Sequence, residues 1–149
     1  MSSSDEYYTP ISLFAYLGLT FDLDVAAPIG GIPWIPTLKY YTKEDDGLAQ
    51  HWEGRVWMNP PYSAPKLWVE KFIEHGNGIA LVPMAKSKWF NDLWNAADGI
   101  LPMPTNNKFV REGKPASIMH HTILMAIGHE NVLGLENLSK RNIGYGKVR

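Results

Sequence analysis

Two adjacent prolines, Pro60 and Pro61, stand directly after the β-prone run Arg55-Val56-Trp57-Met58. Proline cannot donate to a ladder and pushes its predecessor out of helical geometry, so the run reads as a strand that stops there. Asn59 therefore sits at a strand's carboxyl end. The chain around it alternates between strand and helix patterns. Phe21 to Val25 has period two and runs into a Pro- and Gly-rich loop from Pro28 to Pro36. Ala64 to His75 has helical spacing, with Pro65 tolerated in the first turn and Gly76 as a stop. Ile79 to Pro83 reads as a buried strand and Lys88 to Ala97 as a helix, followed by strands at Ile100 to Met103 and Thr122 to Ile127. This order predicts an α/β fold with a mostly parallel sheet, in which ligands bind beyond the carboxyl ends of strands. Asp24 and Asn59 would share that edge.

The chain has 149 residues, 45% of them hydrophobic, which suits one domain over residues 1–149 with no separate target-recognition domain. No internal repeat is visible. The absence of cysteine excludes disulfides, thiolate metal sites and thiol nucleophiles, and suits a reducing cytoplasm. The N-terminus lacks a secretory pattern and no stretch reaches the roughly 20 apolar residues of a membrane span, so a cytoplasmic protein without membrane contact is expected. His120-His121 has no partners at metal-ligand spacing, and no metal is expected. Charge divides unevenly: residues 1–75 carry five basic against ten acidic side chains, and residues 76–149 carry nine against five. Such asymmetry can set a basic surface over phosphates, although chance also produces it.

Asn59-Pro60-Pro61-Tyr62 carries the sharpest chemical signal. An amino nitrogen on an aromatic base is a poor nucleophile because its lone pair is delocalised into the ring. Two rigid acceptors, the Asn59 side-chain carbonyl and the Pro60 main-chain carbonyl, could each take one N–H and draw it toward tetrahedral geometry. Tyr62 could stack on a base rotated out of a duplex. The competing reading is a turn that merely ends the strand.

The sequence resembles the small phage-type DNA N6-adenine methyltransferases. The resemblance is carried in order by Asp5-Glu6-Tyr7-Tyr8-Thr9-Pro10, Phe21-Asp22-Leu23-Asp24-Val25-Ala26-Ala27, Tyr40-Tyr41-Thr42, Asp45-Asp46-Gly47-Leu48, Trp52-Glu53-Gly54-Arg55-Val56-Trp57 and Asn59-Pro60-Pro61-Tyr62-Ser63. It implies a single Rossmann-like, S-adenosylmethionine-dependent methyltransferase domain that methylates the N6 amino group of adenine in DNA. It also implies that Asn59, Pro60 and Tyr62 are catalytic. Thr9-Pro10 resembles the cofactor motif in which threonine holds the methionine carboxylate, and a helix cap is the alternative. Asp24 resembles the acidic residue of the first cofactor-binding strand. Asp46 resembles the one that meets the cofactor's adenosine, though Asp-Gly is also a common turn pair. The chain departs from the wider pattern after Asp24, where Val25-Ala26-Ala27-Pro28 replaces a glycine-rich turn and Gly30-Gly31 comes later.

For the DNA substrate, Lys86 and Lys88 beyond the strand ending at Pro83 are candidates for phosphate contact, and Phe109 for a second stacking face. A solvated charge pair and a core phenylalanine are the plain alternatives. Methylation of cytosine at carbon 5 is excluded because it needs a cysteine. Methylation of cytosine N4, RNA guanine or protein glutamine stays open, as does a non-catalytic DNA-binding relic.

Overall fold

A computed structural model describes residues 11–103, 108–111, 114–117 and 121–141. Helix α1 (Ile11–Leu17) precedes β1 (Leu23–Asp24), a 3-10 turn (Gly47–Ala49) and β2 (Val56–Met58). Then follow α2 (Lys66–His75), β3 (Gly78–Pro83), α3 (Lys88–Ala96) and β4 (Gly99–Pro102). The short strands β5 (Lys108–Arg111) and β6 (Lys114–Ser117) lead to β7 (Thr122–Ile127) and α4 (His129–Lys140).

Five strands form one sheet in the order β1-β2-β3-β7-β4, and β5 pairs with β6 in a separate ribbon. The pairs β1–β2 and β2–β3 are parallel, whereas β3–β7 and β4–β7 are antiparallel. The expected α/β sheet is present, but it is mixed rather than mostly parallel in its pairings. The physical reason lies in the connection. Parallel neighbours need a crossover, which α2 supplies between β2 and β3; β4 reaches β7 through a segment whose described elements are the β5–β6 ribbon, so β7 returns reversed.

Strand β1 is not the end of the pairing. On its outer side the Phe21 amide donates to Pro36 O at 2.7 Å, the Asp24 amide to Lys39 O at 2.9 Å, and Ala27 N to Tyr41 O at 2.8 Å. Parallel bridges link Phe21 to Thr37 and Asp24 to Tyr40. Pro36 cannot donate, so this run stays an irregular partner instead of a full strand.

Both sheet faces are covered. Trp57, Ile79, Leu81, Leu124 and Ala126 belong to a core shared with Leu13, Phe14 and Leu17 of α1 and Leu135 and Leu138 of α4. Their neighbours Val56, Met58, Ala80, Val82, Ile123 and Met125 pack on the other face with Val69 and Phe72 of α2 and Leu93 of α3. Period-two alternation thus divides each central strand between two cores. At the amino edge, Arg55 clamps the elements together. Its Nε donates to Asn131 Oδ1 at 2.6 Å, Nη1 to Thr20 O at 3.0 Å and Nη2 to Glu130 Oε2 at 2.5 Å, while its amide donates to Asp22 Oδ2 at 2.7 Å.

Candidate active site

Because β1, β2 and β3 run in one direction, their carboxyl ends meet at one edge of the sheet. Asp24 ends β1 in register with Trp57, and Asn59 follows directly after β2. Trp57 is fully buried and packs edge-on against Phe14 and Phe21, with ring centroids 4.8 and 5.7 Å away. Past Trp57 the chain turns through Pro60-Pro61-Tyr62, where the Ala64 amide donates to Pro61 O at 3.1 Å, and enters α2 from Pro65. Pro60 is buried, while Asn59 and Tyr62 are half-buried. The tetrapeptide is therefore held between a strand end and a helix start.

Asp24 is only 3% exposed. One carboxylate oxygen accepts the Ala26 amide at 3.3 Å, and no described basic side chain forms an ion pair with it. Burial removes water from the charge and pushes its pKa from 3.8 up to about 7, against a smaller lowering by the Ala26 amide. A desolvated carboxylate with so little compensation fits a ligand that brings hydrogen-bond donors.

Asp46 reaches the same edge. Its backbone is left-handed, φ 56° and ψ 77°, the one positive φ outside glycine among the described residues. Next to it, Gly47 lies so near β1 that an added Cβ would stand 2.2 Å from Val25 O. The Asp46 side chain is exposed and makes no capping bond to the 3-10 turn. Where a glycine-rich turn was missing after β1, the Asp24 carboxylate and the Ala26 amide form the bend instead, and Gly31 sits under the Tyr40 ring, 2.9 Å from its missing Cβ.

The loop after β3 also opens at this edge. Lys86 is exposed, as is Lys88 at the start of α3, but Lys88 Nζ donates to Asp92 Oδ2 at 2.7 Å, which raises its pKa. Between them the Ser87 hydroxyl is buried without a hydrogen-bond partner. Phe109 falls in β5, in register with Ala116. Thr9 and Pro10 lie outside the described residues. The structure thus brings Asp24, Asp46, Asn59, Pro60, Tyr62 and Lys86 to one edge. No group of three His, Cys, Asp or Glu among the described residues could hold a metal ion, and no described helix is long and apolar enough to cross a membrane.

A family model described as DNA N-6-adenine-methyltransferase (Dam) matches residues 1–117, a span that runs from before α1 through β6. The chain belongs to the Dam family. Similar Dam relatives are the DNA N-6-adenine-methyltransferases of Escherichia phage T1 and Haemophilus phage HP1 (strain HP1c1). The first is 33% identical over 136 residues, covering 79% of this chain and 56% of the relative. The second is 31% identical over 101 residues, covering 60% and 57%. The chain spans about half the length of the curated relatives it matches.

Several residues in this Dam chain carry roles that the sequence reading missed. Trp52 Nε1 donates to Gly47 O at 2.8 Å, and Lys71 Nζ donates to Leu48 O at 2.8 Å and also to Gln50 O. Gly54, at φ 68°, leaves room for Asp22, whose carboxylate would lie 2.0 Å from a Cβ there. Trp52, Gly54 and Arg55 all fall within the stretch that carries the resemblance, a signal that could have marked them.

Proposed function

We propose that this chain transfers the methyl group of S-adenosylmethionine to the N6 amino group of adenine in DNA. The observation that carries the reading is a buried Asp24 without a basic partner, paired with Trp57 of the parallel strand that runs on into the Asn-Pro-Pro-Tyr turn, in a chain of the Dam family. A two-faced sheet with ligand groups at its carboxyl edge supports a Rossmann-like methyltransferase domain spanning residues 1–149. On this reading the enzyme acts in the cytoplasm of a bacterium or other host.

Asp24 and Asp46 would hold the cofactor, together with Thr9 and Pro10. Bound there, S-adenosylmethionine supplies an electrophilic sulfonium methyl. Asn59 and the Pro60 carbonyl each accept one N–H of the adenine amino group and orient its nitrogen lone pair, so positioning does most of the work. Tyr62 stacks on the flipped base, with Phe109 as a second face. Lys86 and Lys88 meet phosphates. The β5–β6 ribbon supports DNA contact at this edge: it is inserted between the carboxyl end of β4 and the amino end of β7, and its strands begin or end with Lys108, Arg111 and Lys114.

Transfer of isotope from labelled S-adenosylmethionine to DNA, followed by nucleoside analysis, tests the proposal. Label should appear in N6-methyladenine and vanish with Asn59→Ala. Label in cytosine, RNA or protein instead, or none in any of them, would refute it.

A further inference from the structure

The Asp46 turn is held from outside by side chains distant in sequence. Aspartate adopts the left-handed conformation more readily than most residues but still at some cost, and the surroundings must hold it. Here they do. The carbonyl of Gly47 accepts the Trp52 indole N–H at 2.8 Å, and the carbonyls of Leu48 and Gln50 both accept Lys71 Nζ, the first at 2.8 Å. The Gln50 side-chain Nε2 donates to Asp45 O at 2.7 Å and closes the loop. Behind these bonds, Lys71 Nζ lies 5.1 Å from the centre of a Trp52 ring that stacks on Trp68, and Trp68 stands 3.1 Å from the place of a Gly47 Cβ.

Lys71 belongs to α2, the helix that the chain enters through Pro65, shortly after Asn59-Pro60-Pro61-Tyr62. Its ammonium therefore joins the Asp46 turn to the element that continues from the catalytic motif. One cation serving two main-chain carbonyls is a strong and directional tie. A hydrophobic side chain of equal length could fill the space but not orient the carbonyls.

We propose that Lys71 is a positioning residue for the cofactor: it locks the Asp46 turn onto α2 and so sets the Asp46 carboxylate at a fixed place relative to Asn59. Trp52 is its partner in the lock. The inference rests on the reading that Asp46 meets S-adenosylmethionine. A purely structural lysine would lower stability without changing how a folded protein holds its cofactor.

Calorimetric titration of S-adenosylmethionine into the full chain separates these possibilities, at a temperature where circular dichroism shows each variant folded. Lys71→Met should raise Kd by about tenfold or more, the scale expected from losing charge-assisted hydrogen bonds. Lys71→Arg, which restores the donors, should recover most of the affinity. Unchanged affinity in folded Lys71→Met, or loss that Lys71→Arg fails to restore, would overturn the proposal. If Lys71→Met does not fold, Trp52→Phe decides: a several-fold rise in Kd supports the lock, and none overturns it. Wild-type protein is the control for the underlying reading, since failure of wild type to bind would remove the methyltransferase assignment itself, whereas wild-type binding with unaffected variants would remove only the role of Lys71.

Discussion

Asp24 lies in register with Trp57 on the adjacent parallel strand, two residues before Asn59. That pairing brings a carboxylate and an amide from distant parts of the sequence to one sheet edge. It also sets their environments apart, because Asp24 is sealed by the core while Asn59, past the end of β2, is half-buried. The first can hold a ligand and the second can face a substrate.

Burial of Asp24 makes stability and binding depend on pH in opposite senses. Its folded pKa of about 7 exceeds the ordinary 3.8, so between these values the folded state is protonated while the unfolded chain is ionised. Stability then falls as pH rises through that window, and the full cost, roughly 4 kcal/mol at most, stands above pH 7. Asp24→Asn should therefore unfold at higher denaturant than wild type at pH 8 and lose that advantage toward pH 4. Cofactor affinity should show the reverse trend in wild type, weakening by up to about tenfold per unit below pH 7 as the acceptor is protonated. Denaturant and calorimetric titrations across pH 5 to about 8 check both.

Asn59 and Tyr62 should fail at different steps. Asn59→Ala removes one acceptor for the amino group and should slow single-turnover methyl transfer by about 100- to 1000-fold while leaving cofactor binding intact. Tyr62→Phe should be mild, whereas Tyr62→Ala should weaken DNA binding through a lost stacking contribution of roughly 1–3 kcal/mol. Rapid-quench assays with a fluorescent adenine analogue separate the two. Near-normal transfer by Asn59→Ala contradicts the mechanism.

Gly47→Ala tests the packing of the Asp46 turn on β1. The new methyl would stand 2.2 Å from Val25 O, a rigid main-chain atom, so the turn must move outward. Overpacking of this kind costs about 1–3 kcal/mol and should lower the midpoint of thermal unfolding. An unshifted Tm would show that the turn is looser than its bonds indicate.

Lys86 and Lys88 should differ in their effect on DNA. Lys88 is already paired with Asp92 at 2.7 Å, whereas Lys86 is exposed and forms none of the ion pairs between described side chains. Lys86→Ala should therefore flatten the salt dependence of DNA binding by about one counterion, and Lys88→Ala by less. Equal slopes in the two variants would contradict this ranking.

Local signals made much of the fold legible. The strand at Val56–Met58, the helix stopped at Gly76 and the strands at Gly78–Pro83 and Thr122–Ile127 follow from proline, glycine and apolar periodicity. Helix α4 was not predicted, and Gly134 within it is a poor helix former. In the structure a Cβ there would stand 2.5 Å from the end of the Leu19 side chain, which would have to shift to admit it. Helix α1 was missed because seven residues, mostly apolar, are too few to show a face. Lys71 gave no signal, as a solvated helical lysine has the same local pattern.

The sequence alone determined where β2, α2 and β3 stop, and that Asn59 stands at a strand end, because proline's missing donor and glycine's freedom act within a few residues. Only the tertiary structure decided that β7 returns antiparallel, that Asp24 pairs with Trp57, two residues before Asn59, and that burial pushes its pKa up to about 7. Those depend on which distant segments exclude water and supply partners, a property no local window contains.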